Sequence, residues 1–174
     1  MSLVVGIDVG TQSSKGVLVE AGKGVVATAS APHRVSFPAP NWAEQDPRDW
    51  IDAVAAVIRS LVDQAGSAAS QISHVAVDAQ VDGVVAVDEH LRPLHEAIIW
   101  MDRRAIEQTR LMAEGVGVER LFQITGLNCD SSHAAPKMAW LLERYEPRWL
   151  LPPATMITSW RTSPPCRTSP AGRK

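Results

Sequence analysis

The chain has 174 residues, of which 45% are hydrophobic and 21% are charged, and its formal net charge at pH 7 is -2. This composition is typical of a globular domain with an apolar core, and it excludes a chain that is disordered throughout. The small net charge, and the lack of a basic stripe with interleaved aromatic residues before residue 147, argue against nucleic acid and anionic lipid as partners.

The first 40 residues predict three antiparallel strands. Residues 3–9 are apolar and β-branched, as in a buried strand, and a short polar turn at 10–14 joins them to a second apolar run at 15–20. A glycine-rich turn follows, and residues 25–37 then supply a third strand that ends at a cluster of proline and asparagine.

A helix is predicted to begin at Asp46-Pro47 and to end at Gly66. Asp46 can accept hydrogen bonds from the free N–H groups of the first turn, and proline is well tolerated at the first helical position. The apolar residues between these signals follow helical spacing and form one face. They are Trp50, Ile51, Val54, Val57, Ile58, Leu61 and Val62.

The remaining pattern predicts strands at 72–78, 84–87 and 97–100 and helices at 104–114 and 134–145. Periodicity alone supports the α/β class. The order of three antiparallel strands, a helix, a strand and an insertion resembles the N-terminal part of a ribonuclease-H-like (actin-like ATPase) domain, with a mixed sheet and flanking helices.

The first turn carries the residue types of a metal–phosphate site. Asp8 stands at the end of a buried strand, where its carboxylate could hold a metal ion directly or through water. Gly10 lets a phosphate approach the backbone, Thr11 and Ser13 offer hydroxyl groups, and Lys15 adds positive charge. A plain hairpin with a turn aspartate explains the same residues equally well on turn chemistry alone.

A resemblance to a known family separates these two readings. Four segments resemble, in order and spacing, the FGGY family of carbohydrate kinases, and their W-x-E-Q-D-P-x-x-W and A-P-K-x-x-W patterns are those of its xylulokinase (xylulose kinase) members. The resemblance covers about residues 3–153. The segments are GIDVGTQSSK at Gly6–Lys15, NWAEQDPRDW at Asn41–Trp50, AIIWMDRRA at Ala97–Ala105, and TGL followed by APKMAWL within Thr125–Leu141.

The resemblance implies transfer of a phosphoryl group from ATP to a pentulose-like sugar, with Mg²⁺ as the metal. It implies that Asp8 is the Mg²⁺-linked aspartate. The residues it places against the ATP phosphates are Gly10, Thr11, Gln12, Ser13 and Lys15.

The resemblance also implies a sugar pocket. Trp100 corresponds to its aromatic wall with Asp102 beside it, and Val81 and Asp82 hold a second sugar-contact position. Xylulokinases usually have Met-His at that second position and glycerol kinases Arg-Glu, so the Val-Asp pair departs from both. From the residues alone, a core position for Trp100 and a solvated turn for Asp82 stay open alternatives.

Parts of the kinase are expected to lie beyond this chain. In the family the general base is an aspartate late in the first domain and the adenine pocket lies in a second domain, so no catalytic residue is assigned here and turnover by the isolated chain is not expected. Residues 1–153 are predicted to form a partial N-terminal domain. Residues 154–174 are basic, rich in Pro, Ser and Thr, and follow the last acidic residue, Glu146. They are interpreted as a frameshifted tail or, alternatively, as a native disordered one.

Two other functions remain as alternatives. The first is a non-catalytic binding or oligomerisation module that keeps the kinase fold, and apolar surface left exposed by a partial domain predicts a homodimer. The second is another actin-like ATPase, which would have no need of the segments at 41–50 and 97–105. Only two cysteines, no membrane-length apolar run and no signal peptide pattern favour a reduced, cytoplasmic protein without a membrane partner.

Overall fold

A computed structural model describes residues 2–145 completely and residues 149–151 as backbone. The strands and helices alternate along the chain in the order expected of an α/β protein. In chain order they are β1 (Leu3–Val9), β2 (Ser13–Glu20), β3 (Gly24–Pro32), β4 (Glu44–Gln45), α1 (Pro47–Ala65), β5 (Ile72–Ala79), β6 (Val85–Val87), β7 (Ala97–Ile98), α2 (Ile106–Val116), α3 (Val118–Thr125), α4 (Ala134–Leu142) and β8 (Trp149–Leu151).

The main sheet has four strands in the order β3-β2-β1-β5. Strands β1, β2 and β3 pair antiparallel, whereas β5 joins β1 in parallel after the crossover through α1. The three antiparallel strands, the helix and the fourth strand confirm the predicted order. Within the described residues, no strand pairs with the far edge of β5.

Helix α1 confirms its predicted start and end. Asp46 accepts a hydrogen bond from the Arg48 N–H at 2.8 Å, and the chain leaves the helix at Gly66, which has a φ of 54°. The helix packs closely on β2, because a Cβ placed on Gly16 would lie only 2.4 Å from Val57 Cγ1. This contact buries one face of the sheet, where the larger of two apolar cores forms around β1 and α1.

Three predictions for this fold were inaccurate. The third strand was predicted to reach residue 37, but β3 ends at Pro32, because Pro32 pairs with Ser13, the first residue of β2, and β2 offers no further residue to pair with. The strand predicted to reach residue 100 ends at Ile98. Helix α3 was not predicted at all, and its residues are half-buried or exposed, so it adds little to either core.

A second, smaller core joins β6, β7 and α4. Strand β4 pairs with β7 and β6 pairs with β8, so the segment around Glu44 is attached to this part of the molecule. The buried residues of the second core are Val84, Ala86, Ile98, Ala105, Trp140 and Leu141. Among the described helices, none is both long and apolar enough to cross a bilayer.

Candidate functional site

The turn between β1 and β2 presents polar side chains at the open end of the sheet. Asp8 and Lys15 face each other across the antiparallel pair, and both side chains are exposed. The Gly10 N–H closes the turn on the Ser13 carbonyl at 3.1 Å. A Cβ at Gly10 would lie 3.3 Å from that carbonyl and 3.7 Å from an Asp8 carboxylate oxygen, so glycine keeps the space beside the carboxylate open.

An open cavity of about 440 Å³ lies at this turn. All the residues predicted to face the nucleotide line it, together with the tryptophan predicted to form the sugar wall. The lining residues are Asp8, Gly10, Thr11, Gln12, Ser13, Lys15, Trp100 and Met101. Their contacts with ATP stay predictions, but the structure brings the side chains together.

Trp100 is connected to the turn by a direct hydrogen bond. Its indole Nε1–H donates to Thr11 Oγ1 at 2.9 Å, across 89 positions of the sequence. The side chain is 44% exposed, so the alternative that Trp100 is a core residue is wrong. A half-exposed indole fixed by its N–H leaves part of its ring free to contact a ligand.

The turn residues fit a magnesium ion of the kind that is held partly by the protein. Mg²⁺ is commonly bound through one or two carboxylates and keeps water and phosphate oxygens as its other ligands. Asp8 supplies one exposed carboxylate at the cavity, and Asp78, which sequence analysis did not single out, lies beside it in register on β5. Within residues 2–145 no three His, Cys, Asp or Glu side chains converge on one point.

The second predicted sugar contact lies on a bent loop after β5. Asp82 has a φ of 59°, in the left-handed region that a non-glycine residue seldom adopts, and the Val81 side chain is exposed. The Asp82 carboxylate is 3.3 Å from His133 Nδ1, so it is paired rather than simply solvated. It borders a separate cavity of about 180 Å³ between α2, α3 and α4 and does not line the cavity at Asp8.

Asp102 is buried beneath the sugar wall. Its side chain is fully buried and accepts from the Ala43 N–H at 2.7 Å and from Arg104 Nε and Nη2 at 2.9 and 2.7 Å. These bonds occupy the carboxylate with groups of the protein itself, so Asp102 stabilises the structure beneath Trp100. Its contact with a sugar stays a prediction.

Arg104 joins three of the four sequence segments. Its guanidinium carbon lies 3.7 Å from the ring centre of Trp42 and 5.0 Å from that of Trp140, and Nη1 lies 2.7 Å from a Glu44 carboxylate oxygen. With Asp102, these residues form a buried ion cluster in which a planar cation lies over the ring of Trp42, and the ring of Trp140 meets that of Trp42 in a T-shaped contact. Trp42 and Trp140 therefore serve to pack around the Arg104 side chain.

Gln45 connects the turn between β1 and β2 (the nucleotide turn, residues 10–12) to the loop that follows β5 (the sugar loop, residues 80–84). The side chain is buried; its amide nitrogen donates to the Thr11 and Arg34 carbonyls at 2.8 and 3.0 Å, and its oxygen accepts from Gln80 Nε2 at 2.8 Å. The Gln80 N–H in turn donates to the Val9 carbonyl at 3.0 Å. Gln45 therefore fixes the turn and the start of the sugar loop in one arrangement.

The comparison with known proteins decides the family. Residues 3–150 match the FGGY family of carbohydrate kinases, N-terminal domain. The chain belongs to this family.

Individual relatives agree with that assignment. A glycerol kinase from Citrifermentans bemidjiense is 38% identical over 148 residues, which cover 84% of this chain and 30% of that kinase. A xylulose kinase from Streptomyces rubiginosus is 37% identical, over 83% of this chain and 29% of the enzyme. The solved xylulose kinase from Rhodospirillum rubrum superposes with a TM-score of 0.78 at 30% identity, over 82% of this chain and 29% of that protein.

These FGGY relatives are much longer than the matched region. The chain spans about 30% of the length of the relatives that it matches. The predicted fold, the N-terminal part of an actin-like ATPase domain, is confirmed by the superposition and by the mixed sheet with flanking helices. The general base and the adenine pocket were predicted to lie outside this chain, and the possible frameshifted tail lies outside the described residues.

Sequence analysis missed two buried polar residues of this FGGY domain. Gln45 and Lys137 both stood inside quoted motifs, but their role depends on contacts with distant segments. Lys137 is fully buried, and this burial lowers the pKa of its ammonium group to about 8. A lysine in the first turn of an otherwise apolar helix was the one available signal.

Proposed function

We propose that this chain forms the phosphate-binding turn and part of the sugar pocket of an ATP-dependent kinase for a pentulose-like sugar. One contact supports this most directly: Trp100 reaches Thr11 across the cavity that Asp8 borders. In a sugar kinase the transferred phosphoryl group must lie between a nucleotide site and a sugar site. An aromatic wall bonded to a phosphate-binding turn provides that adjacency.

The nucleotide side uses backbone and side-chain groups of the turn. The hydroxyls of Thr11 and Ser13 and the backbone N–H groups bond phosphate oxygens, while the Lys15 ammonium offsets their negative charge. Asp8 would hold Mg²⁺ or one of its waters, and the bound ion would neutralise charge on the transferring phosphoryl group. Because Gly10 has no side chain, the phosphates can approach the backbone.

The sugar side uses Trp100 and the loop at Asp82. The half-exposed indole packs against the apolar face of a sugar, and the Asp82 carboxylate accepts hydrogen bonds from its hydroxyl groups. His133, which lies beside Asp82, restricts the directions from which a hydroxyl can approach. The relatives named xylulose kinase and glycerol kinase both support a small polyhydroxylated substrate.

The chain alone is proposed to bind and not to turn over. It spans about 30% of its relatives' length, and we assign the carboxylate among the cavity's lining residues, that of Asp8, to the metal ion. The general base and the adenine contacts would come from protein outside this chain.

Isothermal titration calorimetry tests the proposal. D-xylulose and glycerol are titrated into the 174-residue chain, its Trp100→Ala variant and a Phe37→Ala control, which removes another exposed aromatic ring. The proposal predicts that at least one of the two polyhydroxylated ligands binds and that Trp100→Ala weakens its binding up to about tenfold, since a packed aromatic contact is worth about 0.5–1.5 kcal/mol. Absence of binding, or equal effects of the two substitutions, would contradict it.

A second candidate function is a non-catalytic module that associates through apolar surface. Helix α3 favours it, because Val118, Phe122 and Ile124 are 55%, 53% and 62% exposed. This candidate predicts a homodimer in light scattering and indifference to every sugar. A monomer that binds a sugar would exclude it.

A further inference from the structure

Three backbone segments around the proposed sugar pocket meet at one buried ammonium group. Lys137 lies in the first turn of α4, and its Nζ donates to the carbonyl oxygen of Asp82 at 2.7 Å and of Ile99 at 2.9 Å. A third bond goes to the carbonyl of Ser132. The first carbonyl belongs to the sugar loop, the second immediately precedes Trp100, and the third lies in the loop before α4.

We propose that Lys137 is the positioning residue of the sugar pocket, which holds the Asp82 loop, the Ile99–Trp100 segment after β7 and the loop at Ser132 in one fixed arrangement. The inference rests on the proposed function for its sugar, but the positioning itself follows from contacts within the chain. Lys137 is fully buried, so it acts through these loops and does not touch a ligand.

The donor count of the ammonium group matches its surroundings. A lysine ammonium has three N–H donors and no acceptor, and here three carbonyls from separate segments take all three. Carbonyls that would otherwise be buried without a donor gain one from a side chain. The group therefore joins the loop before α4 to the Asp82 loop and to Ile99, beside the antiparallel Val84–Ile98 bridge that already pairs the latter two segments.

Packing alone does not account for a charge at this position. Removing an ammonium from water carries a large free-energy cost, and a methionine would fill a similar volume without it. No carboxylate oxygen is hydrogen-bonded to Nζ, since all three partners are carbonyls. The cost of burial is offset by these three bonds to the backbone and by attraction to the nearby Asp102 and Asp82 carboxylates. Organising the backbone is the function that we assign to Lys137.

The held segments lead directly to the predicted ligand contacts. Ile99 is followed by Trp100, whose indole N–H bonds Thr11 on the nucleotide turn. Asp82 carries the carboxylate of the sugar loop, and Ser132 is followed by His133, which lies beside that carboxylate. Release of the three carbonyls would therefore disturb the sugar side first, because the turn after β1 is also held by Gln45, which donates to the Thr11 carbonyl and is not bonded to Lys137.

The test compares Lys137→Met with Lys23→Met, the same change at an exposed turn lysine. Folding is checked by circular dichroism, and D-xylulose, glycerol and Mg-ADP are then titrated into each variant. Lys137→Met is expected to weaken sugar binding by about tenfold and to leave Mg-ADP affinity within about twofold, whereas Lys23→Met changes neither. Equal loss of both ligands, or no loss, in a folded Lys137→Met protein would overturn the proposal.

Hydrogen exchange of the unaltered chain decides the case in which Lys137→Met does not fold. If one ammonium holds the three segments, residues 80–84, 99–102 and 130–133 open together, with protection factors within about threefold of one another. Protection that differs by more than about tenfold among the segments would overturn the proposal. If the unaltered chain binds no sugar, the proposed function fails, and the exchange experiment still decides the role of Lys137.

Discussion

The two halves of this domain are stabilised in different ways. The sheet half, β1 to β3 with α1, is built from neighbouring strands and an apolar core, and the side chains of Asp8 and Lys15, which we propose to face the nucleotide, are exposed. The half around β4, β7 and α4 depends on buried polar side chains, such as Asp102, Arg104 and Lys137, that join distant segments. Substitutions at the nucleotide turn should therefore report on binding, whereas substitutions beneath the sugar wall should also report on folding.

The largest expected effect comes from breaking the buried ion cluster. Asp102→Ala leaves Arg104 buried without its bidentate partner, and removing one member of a buried pair typically costs about 3–5 kcal/mol of unfolding free energy. The matched control is Glu107→Ala, which breaks an exposed pair with Arg110 and should cost less than about 1 kcal/mol. Urea unfolding measures both; similar small losses would show that the second half does not depend on its buried charges.

The next effect concerns pH. Burial lowers the pKa of Lys137 to about 8 in the folded chain, whereas a lysine in the unfolded chain titrates near 10.4. Between these values the unfolded chain binds more protons, so stability should rise with pH from about 8 to 10.4, by at most about 3 kcal/mol.

The carbon-13 NMR signal of the Lys137 Cε reports this titration directly. Its midpoint should be near 8 in the folded chain. In the urea-unfolded chain the control midpoint should be about 10.4. Equal midpoints in the two states would refute the expected pH dependence.

A smaller effect tests the apolar half. In Gly16→Ala the new Cβ would lie 2.4 Å from Val57 Cγ1, and such overpacking typically costs about 1–3 kcal/mol. Gly115→Ala is the control, because nothing lies within 4 Å of a Cβ there and alanine favours the helix by up to about 1 kcal/mol. Thermal or urea unfolding should show a lower free energy of unfolding for Gly16→Ala and a higher one for Gly115→Ala. If both substitutions stabilised the chain, α1 would pack less tightly on β2 than the structure shows.

The smallest effect concerns the hydrogen bond from Trp100 to Thr11, which is one of the bonds that join the two halves. Trp100→Phe keeps an aromatic ring but removes the donor to Thr11, and a half-exposed hydrogen bond contributes at most about 1 kcal/mol. A double-mutant cycle with Thr11→Val isolates the coupling. A coupling of about 0.5 kcal/mol or more is expected, and none at all would remove the direct link between the turn and the sugar wall.

The same division explains which features could be predicted from the sequence. The hairpin, β5 and α1 depend on local signals, such as the Asp46 cap and Gly66, so short stretches of sequence were sufficient. No side chain caps the start of helix α3 by accepting a hydrogen bond, and the helix buries no residue. Neither a capping residue nor a buried apolar face therefore identified it in the sequence. The two-residue strands β4 and β7 are too short to show a period.

The residues of the candidate site likewise divide into those that lie close together in the sequence and those that only the fold brings together. The residues predicted for the nucleotide turn lie within eight positions of one another, and the structure places them around one cavity. The contact of Gln45 with Thr11 spans 34 positions and that of Lys137 with Asp82 spans 55, and no local pattern reports such distances. The resemblance implied a sugar contact for Asp102, which stays a prediction; the bond of its carboxylate to Arg104 is a tertiary contact that the sequence did not reveal.

The central claim, that the turn after β1 receives a metal-bound nucleotide beside Trp100, is tested most directly by paramagnetic NMR. Mn²⁺ replaces Mg²⁺ in a complex with ADP, and line broadening of nitrogen-15 labelled chain is compared with that caused by Mg-ADP. The account predicts that the amides of residues 10–15 and the Trp100 indole broaden first, that α3 is unaffected, and that Asp8→Asn abolishes the effect. Broadening elsewhere, or broadening that persists in Asp8→Asn, would contradict it.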